Sequence, residues 1–342
     1  MTHDARIPVT LLVGFLGAGK TTLLNRLLTA PHGQRVAVIV NDYATLNIDA
    51  RLVRQTTDRL VEMSNGCICC TLREDLVDEL DALAQVPGLD YILIESTGIG
   101  EPMPIAQAFY MGDLQARVRL DTIVTVVDAG SFWSNYRSHE LIEDAEGNRV
   151  ESSLAPLLVD QIEFSNVIVL NKCDLAEPAA LADLEAYVRQ LNPLARIERT
   201  VQGDLDPLSL FNTGAYDYAT GPEAEAWEAE WLKASSEVEE YGFASFIYRQ
   251  PRPLQREAFM DLFEDWPANV LRAKGFVVFA DDAPALLSLA GDEIELETLA
   301  PAEGDAAPDA EAGPEGTEIV FIGRNLPVAD LGRRLDACAS RR

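Results

Sequence analysis

The chain has 342 residues, 48% of them apolar by type, enough for two domains with a sizeable core, which excludes global disorder. Its formal charge of −29 argues against nucleic acid and anionic membrane surfaces, because both call for clustered Lys and Arg. No apolar run reaches the roughly 18 residues of a transmembrane helix, and the opening MTHDARIPVT has no charged and apolar leader, so a cytosolic location is expected.

In chain order, PVTLLVG (8–14) reads as a strand and KTTLLNRLLTA (20–30) as a helix. RVAVIVN (35–41), YILIES (91–96), DTIVTVVD (121–128) and NVIVLNK (166–172) read as buried parallel strands, with helical periodicity in TLREDLVDELDALAQ (71–85) and AALADLEAYVRQLN (179–192). This alternation predicts an α/β fold, a doubly wound, mainly parallel sheet of the P-loop NTPase type, over residues 1–220. Residues 221–240 are charged and helix-forming and read as a connecting helix. Residues 241–342 read as strand, helix, three strands and helix, a smaller C-terminal α+β domain. Within it, residues 301–316 are only Pro, Gly, Ala and acid and are expected to form a disordered loop.

Gly14 to Thr21 (GFLGAGKT) matches GxxxxGK(S/T) between a strand and a helix, the context that gives this motif its meaning. Gly17, Ala18 and Gly19 would offer backbone N–H groups to phosphate, helped by the helix N-terminus. Lys20 would neutralise the β- and γ-phosphates, Thr21 would ligate Mg²⁺, and Thr22 lies in the same first turn. The strand YILIE ends in an acid, Glu95, where such enzymes hold a carboxylate that serves Mg²⁺ or the attacking water. The N–H of Gly98 is placed to sense the γ-phosphate. Asn171, Lys172 and Asp174 form NKxD after a buried strand. A carboxylate at Asp174 accepts both N1–H and N2–H₂ of guanine, a pair of donors that adenine lacks.

Three of the five cysteines, Cys67, Cys69 and Cys70, fall within four residues just before a predicted helix. A helix N-terminus favours thiolates, and three thiolates make a soft site for Zn²⁺ or Cu⁺ with one position open, as a transfer site requires. A tight turn of small apolar residues, or a redox dithiol, remain as alternatives. Cys173 reads as a small buried residue.

With these motifs in hand, the chain resembles the CobW family of P-loop GTPases. The resemblance rests on GFLGAGKTTLLNRLL (14–28), VNDYATLNIDA (40–50), SNGCICCTLREDL (64–76), ESTG (95–98), VTVVDA (124–129), VDQIEFSNVIVLNKCDL (159–175), YGFASFIYR (241–249) and RAKGFVVFA (272–280). It implies slow GTP hydrolysis and zinc or cobalt held by Cys67, Cys69 and Cys70. It also implies a segment at residues 41–49 that switches with the nucleotide, with Asp42 near both Mg²⁺ and the metal. Two departures stand out: Thr45 replaces a second acid, and Tyr241 replaces a histidine. The resemblance thus implies a GTP-driven zinc chaperone with a client metalloprotein as partner. Cobalt insertion for cobalamin, activation of another metalloenzyme, and a plain regulatory switch are the alternatives. Homo-oligomerisation stays open.

Overall fold

The structure is a computed structural model that describes residues 6–40, 57–62, 71–100, 102–143, 149–216, 243–299 and 316–340. In it the first apolar runs become parallel strands because both of their faces are covered. Along β1 (Ile7–Val13), Val9, Leu11 and Val13 enter one apolar cluster and Leu12 the other. Along β2 (Val36–Val40), Ala37 and Ile39 face the first cluster, and Val36, Val38 and Val40 the second. Successive strand side chains point to opposite faces, so a strand covered on both sides is apolar throughout.

The remaining elements, in chain order, begin with α1 (Lys20–Thr29), β3 (Thr57–Glu62), α2 (Thr71–Ala84), β4 (Tyr91–Glu95) and α3 (Pro102–Ala108). They continue with β5 (Val118–Asp128), α4 (Phe132–Tyr136), β6 (His139–Glu143), β7 (Arg149–Ser153), α5 (Ala155–Glu163), β8 (Val167–Asn171), α6 (Pro178–Leu191) and β9 (Arg196–Arg199). The C-terminal part adds β10 (Phe243–Gln250), α7 (Arg256–Asp261), β11 (Val270–Val277), β12 (Ala285–Ala290), β13 (Glu293–Thr298), β14 (Thr317–Arg324) and α8 (Val328–Ala337).

Seven strands form one sheet in the order β3-β2-β4-β1-β5-β8-β9, every neighbouring pair parallel. Helix α1 covers one face through Leu23, Leu24, Leu27 and Leu28, and α2 covers the other through Leu76, Leu80 and Leu83. A five-stranded antiparallel sheet follows, in the order β10-β14-β11-β12-β13. Its core joins Val270, Leu287 and Phe321 to Phe259 of α7 and to Leu331 and Leu335 of α8.

The chain divides into two compact units. The first comprises Met1–Phe132, Leu157–Glu185 and Asn192–Trp231 and holds the parallel sheet. The second comprises Trp133–Pro156, Ala186–Leu191 and Leu232–Arg342 and holds the antiparallel sheet together with the β6–β7 hairpin.

Each unit has a buried polar knot. In the first, Asp121 is fully buried and accepts from Tyr91 Oη at 2.9 Å, Thr213 N at 2.8 Å, Gly214 N at 3.0 Å and Arg119 Nη1 at 2.5 Å. This ties residues 212–214 back to the start of β5. In the second, the Tyr136 hydroxyl donates to Leu271 O at 2.5 Å and accepts from Gly291 N at 3.0 Å and Tyr187 Oη at 3.2 Å. One side chain thereby joins α4, α6 and the antiparallel sheet.

Within the described residues the elements expected from sequence are present to within two or three residues, apart from the final part of the 254–266 helix, which is 3₁₀. Several elements had no sequence expectation. Strands β3 (TDRLVE) and β9 (RIER) are charged strands at the two sheet edges. Strand β12 (ALLSLA) is poor in β-formers and is held by partners on both sides. In all three, pairing decides the conformation over local propensity. Residues 221–240, and 301–316 except its last residue, lie outside the described residues.

Candidate functional site

The carboxyl ends of the parallel strands bring the predicted residues to one edge of the sheet, where ligands bind in folds of this topology. Leu12 on β1 pairs with Glu95 on β4, Val40 on β2 pairs with both Glu95 and Glu62, and Asp128 on β5 pairs with Asn171 on β8. Neighbouring strands lie about 4.8 Å apart, so the backbones of Glu62 and Glu95 are roughly 10 Å apart across β2. From this edge the chain leaves β3 at Glu62 and begins α2 at Thr71. Cys67, Cys69 and Cys70 belong to that connection, and Asp42 to the one that leaves β2. All four lie outside the described residues.

The loop after β1 turns tightly into α1. Gly19, the residue before the helix, has φ +107°, and a Cβ there would sit 2.3 Å from Asn171 Nδ2, so both conformation and space require glycine. Gly17 also has positive φ, and Ala18 is buried. Lys20 opens α1 and is 7% exposed. Its Nζ donates to Gly14 O at 2.7 Å and Phe15 O at 3.2 Å. Burial lowers its pKa, and the nearby charge of Glu95 works against that shift.

Thr21 Oγ1 donates to Glu95 Oε1 at 2.8 Å. The first turn of α1 and the end of β4 thus meet through a hydroxyl and a carboxylate, two hard oxygen donors of the kind Mg²⁺ selects. Thr22 is exposed in the same turn. Gly98 is buried under this loop. A Cβ there would approach Leu16 N to 2.7 Å and Leu16 Cδ2 to 2.4 Å, so the loop after β4 reaches the phosphate-loop candidate only as glycine.

Asn171 works as a hub. Its Nδ2 donates to Ala18 O at 2.9 Å, and its Oδ1 accepts from Thr200 Oγ1 at 3.1 Å and Gly203 N at 2.9 Å. It therefore clamps the glycine-rich loop to the loop after β9. Lys172 adopts a left-handed conformation, φ 58°, and its Nζ donates to Asp128 Oδ2 at 2.7 Å. Asp174 sits exposed in the short 3₁₀ turn that follows. The thiol of Cys173, half-buried, donates to Leu170 O at 3.1 Å, and burial pushes its pKa up.

Three contributors carried no sequence expectation. Thr200 follows the unassigned strand β9. Asp128 ends the buried run DTIVTVVD, the same strand-end position that singled out Glu95, and that signal was available. Gln161 in α5 donates from Nε2 to Gly100 O at 3.1 Å, tying down the loop after Glu95. Among the described residues no group of three or more His, Cys, Asp or Glu side chains is arranged to hold a metal, and no helix is long and apolar enough to cross a membrane.

Comparison with known proteins follows this geometry. Residues 8–199 match the CobW/HypB/UreG nucleotide-binding domain, and residues 243–339 match the cobalamin synthesis protein CobW C-terminal domain. Zinc-regulated GTPase metalloprotein activator 1 of Dictyostelium discoideum is 40% identical over 311 residues, covering 83% of this chain and 65% of the relative. The zinc chaperone CobW of Pseudomonas aeruginosa is 36% identical over 218 residues, 59% of this chain and 58% of the relative. The zinc chaperone YjiA of Escherichia coli is 30% identical over 336 residues, 95% and 96% of the two chains. The chain therefore spans about two thirds or less of the length of the first two relatives.

Proposed function

Since this chain belongs to the CobW family of P-loop GTPases, we propose that it is a GTP-hydrolysing metallochaperone that binds zinc through Cys67, Cys69 and Cys70 and delivers it to a client metalloprotein in the cytoplasm. The observation that carries this reading is the meeting of Thr21 and Glu95 at 2.8 Å beside Lys20. It occurs on the sheet edge from which the connections bearing Asp42 and the three cysteines depart.

In this reading residues 1–220 form the nucleotide domain, 221–240 a connecting helix, and 241–342 the C-terminal domain. Gly17, Ala18, Gly19, Lys20, Thr21 and Thr22 hold the phosphates. Asp174, presented by the turn after Lys172, reads guanine, while Asn171 holds the glycine-rich loop beneath it. Thr21 and Asp42 hold Mg²⁺, which when bound neutralises charge on the β- and γ-phosphates. Glu95 orients water, and Gly98 reports whether a γ-phosphate is present. Lys20, raised to its position by the Gly14 and Phe15 carbonyls, has a desolvated ammonium whose charge an incoming phosphate would stabilise.

Zinc is cargo. The thiols precede the N-terminus of α2, where the helix dipole favours thiolates. Because the cysteine-bearing connection and Glu95 start from strand ends on either side of β2, a γ-phosphate that orders the loop at Gly98 changes the thiol site. Reciprocity then requires zinc to alter GTP affinity by the factor through which GTP alters zinc affinity, about 5- to 150-fold for a coupling of about 1–3 kcal/mol. The test titrates zinc into the GDP form and into the form bound to a non-hydrolysable GTP analogue, under reducing conditions. Unequal affinity, abolished when the three cysteines become serines, is expected. Equal affinity in both forms would defeat delivery and leave a regulatory switch. Preference for cobalt over zinc in the same titration would favour the cobalamin-related alternative.

A further inference from the structure

The second unit contains a cavity of about 480 Å³ between α4, the start of β6, the 262–268 segment and strands β11 to β13. Its size falls in the range of roughly 300–1,000 Å³ typical of small-molecule sites. The walls are aromatic: Trp133, Phe263 and Trp266 line it, the last two with ring centroids 4.7 Å apart. Two charged groups, Arg137 and Asp292, and the imidazole of His139 also line it. His139 Nε2 lies 3.0 Å from Asp292 Oδ2, so these two satisfy each other. Arg137 is exposed, and its guanidinium lies 5.8 Å from the centre of the Trp133 ring with no ion-pair partner among the described residues. In a chain of net charge −29, an arginine beside an aromatic cavity with no ion pair among the described residues is uncommon surface chemistry. The Trp266 ring lies on the same wall, its indole Nε1–H sealed from solvent and without an acceptor among the described residues.

The Arg137 cation and the aromatic walls together select a ligand. The geometry points to this cavity as a binding site for an apolar carboxylate, an acid with an aromatic or long aliphatic body, whether free or as the C-terminal residue of a polypeptide. The body fills the space beside Trp133 and Phe263. The carboxylate pairs with Arg137, which can bind both of its oxygens at once. A purely apolar ligand would leave Arg137 unanswered.

The site uses neither nucleotide nor metal, so its test stands apart from that of the proposed function. Full-length protein with ¹⁵N-labelled tryptophan is titrated with 4-phenylbutyrate, with 4-phenylbutyramide, and with acetyl-Gly-Gly-Phe bearing a free C-terminus. The expected result is a shift of the Trp266 indole resonance, assigned with Trp266→Phe, and affinity for the acid at least about tenfold above that for the amide, as a charge-assisted pair provides. Arg137→Gln, at an exposed position that spares the fold, should reduce the acid to the amide's affinity. Ala268→Trp, on the exposed wall of the cavity, should block both. Binding of the tripeptide assigns the ligand to chain termini, and binding of the free acid alone assigns it to small molecules. Equal affinity for acid and amide, an unchanged acid affinity in Arg137→Gln, or no indole shift with any probe would overturn the proposal.

Discussion

The two units differ in how their sheets are covered, and that difference places their chemistry. Strands of the parallel sheet are buried on both faces, as in β2 and β8, where every residue is buried. Polar side chains along such strands are few and structural, Asp121 of β5 among them, and the functional groups gather where a strand ends: Glu95, Asp128 and Asn171 each occupy the last position of a strand. The antiparallel sheet alternates. Strand β10 buries only some of its residues and β13 almost none. Polar and aromatic groups can therefore sit within the body of the second unit, and its candidate site is a cavity along the strands instead of a row of strand ends.

The largest effects expected from this contrast are at the strand ends. Lys20→Ala should lower GTP turnover by about 10³-fold or more, since removal of a single preorganised donor to developing charge costs about 10²–10³ and Lys20 also carries a full charge. The thermal midpoint should hold, because the lysine's partners are loop carbonyls. Asp174→Asn should weaken GTP strongly and improve xanthosine nucleotides, by exchanging an acceptor for a donor. Turnover retained in the Lys20 variant, or GTP and ATP hydrolysed equally by the wild type, would break the assignment of chemistry to the sheet edge.

Stability variants sharpen the contrast, because each unit has its own polar knot. Asp121→Ala removes the acceptor of five donors in a fully buried position. A loss of about 3 kcal/mol or more is expected, because several buried donors lose their acceptor at about 1–3 kcal/mol each. Tyr136→Phe deletes one hydroxyl but leaves Gly291 N donating to Leu271 O at 3.1 Å, so a smaller loss of about 0.5–1.5 kcal/mol is expected. Hydrogen exchange should show the first loss in amides of β1, β4 and β5 and the second in amides of β11 and β12. Loss of protection spread evenly over both sheets in either variant would mean that the units do not open separately.

The same contrast explains what could be read from sequence. Runs such as VAVIV and VIVLN have one physical interpretation, so the parallel sheet and the residues at its strand ends were legible together. The glycine-rich loop was legible because Gly19 has no alternative. Strands β3 and β9 were not, since TDRLVE and RIER carry no periodicity that favours a strand and are held by one neighbour each. The role of Asn171 was half legible. NKxD marked it as part of the nucleotide site, but its clamp on Ala18 and Thr200 depends on contacts 153 and 29 residues away. The cavity was not legible at all: it joins residues 133–139 to residues 263–294, and no local pattern announces that meeting.

The smallest expected effect is a titration. Tyr248 is 5% exposed, and its hydroxyl donates to Asp336 Oδ1 at 2.9 Å. Burial pushes its pKa up to about 12, with the carboxylate of Asp336 adding to the rise and the hydrogen bond from Gln250 opposing it. An unfolded tyrosine ionises near 10. Below pH 10 both states hold the proton, and the tyrosine's contribution to stability is fully present. Between about pH 10 and 12 the unfolded chain loses its proton while the folded one keeps it, so unfolding is favoured and the contribution drains away. Above that window both are ionised and the loss stops growing. Burial raises Tyr136 in the same unit in the same direction. Urea unfolding of the second unit, followed by the fluorescence of Trp133 and Trp266 in a Trp227→Phe, Trp231→Phe background, should therefore show stability falling faster between pH 10 and 12 in the wild type than in Tyr248→Phe. Equal slopes would show that Tyr248 is solvated in the folded protein and that the alternating sheet protects its polar groups less than its burial implies.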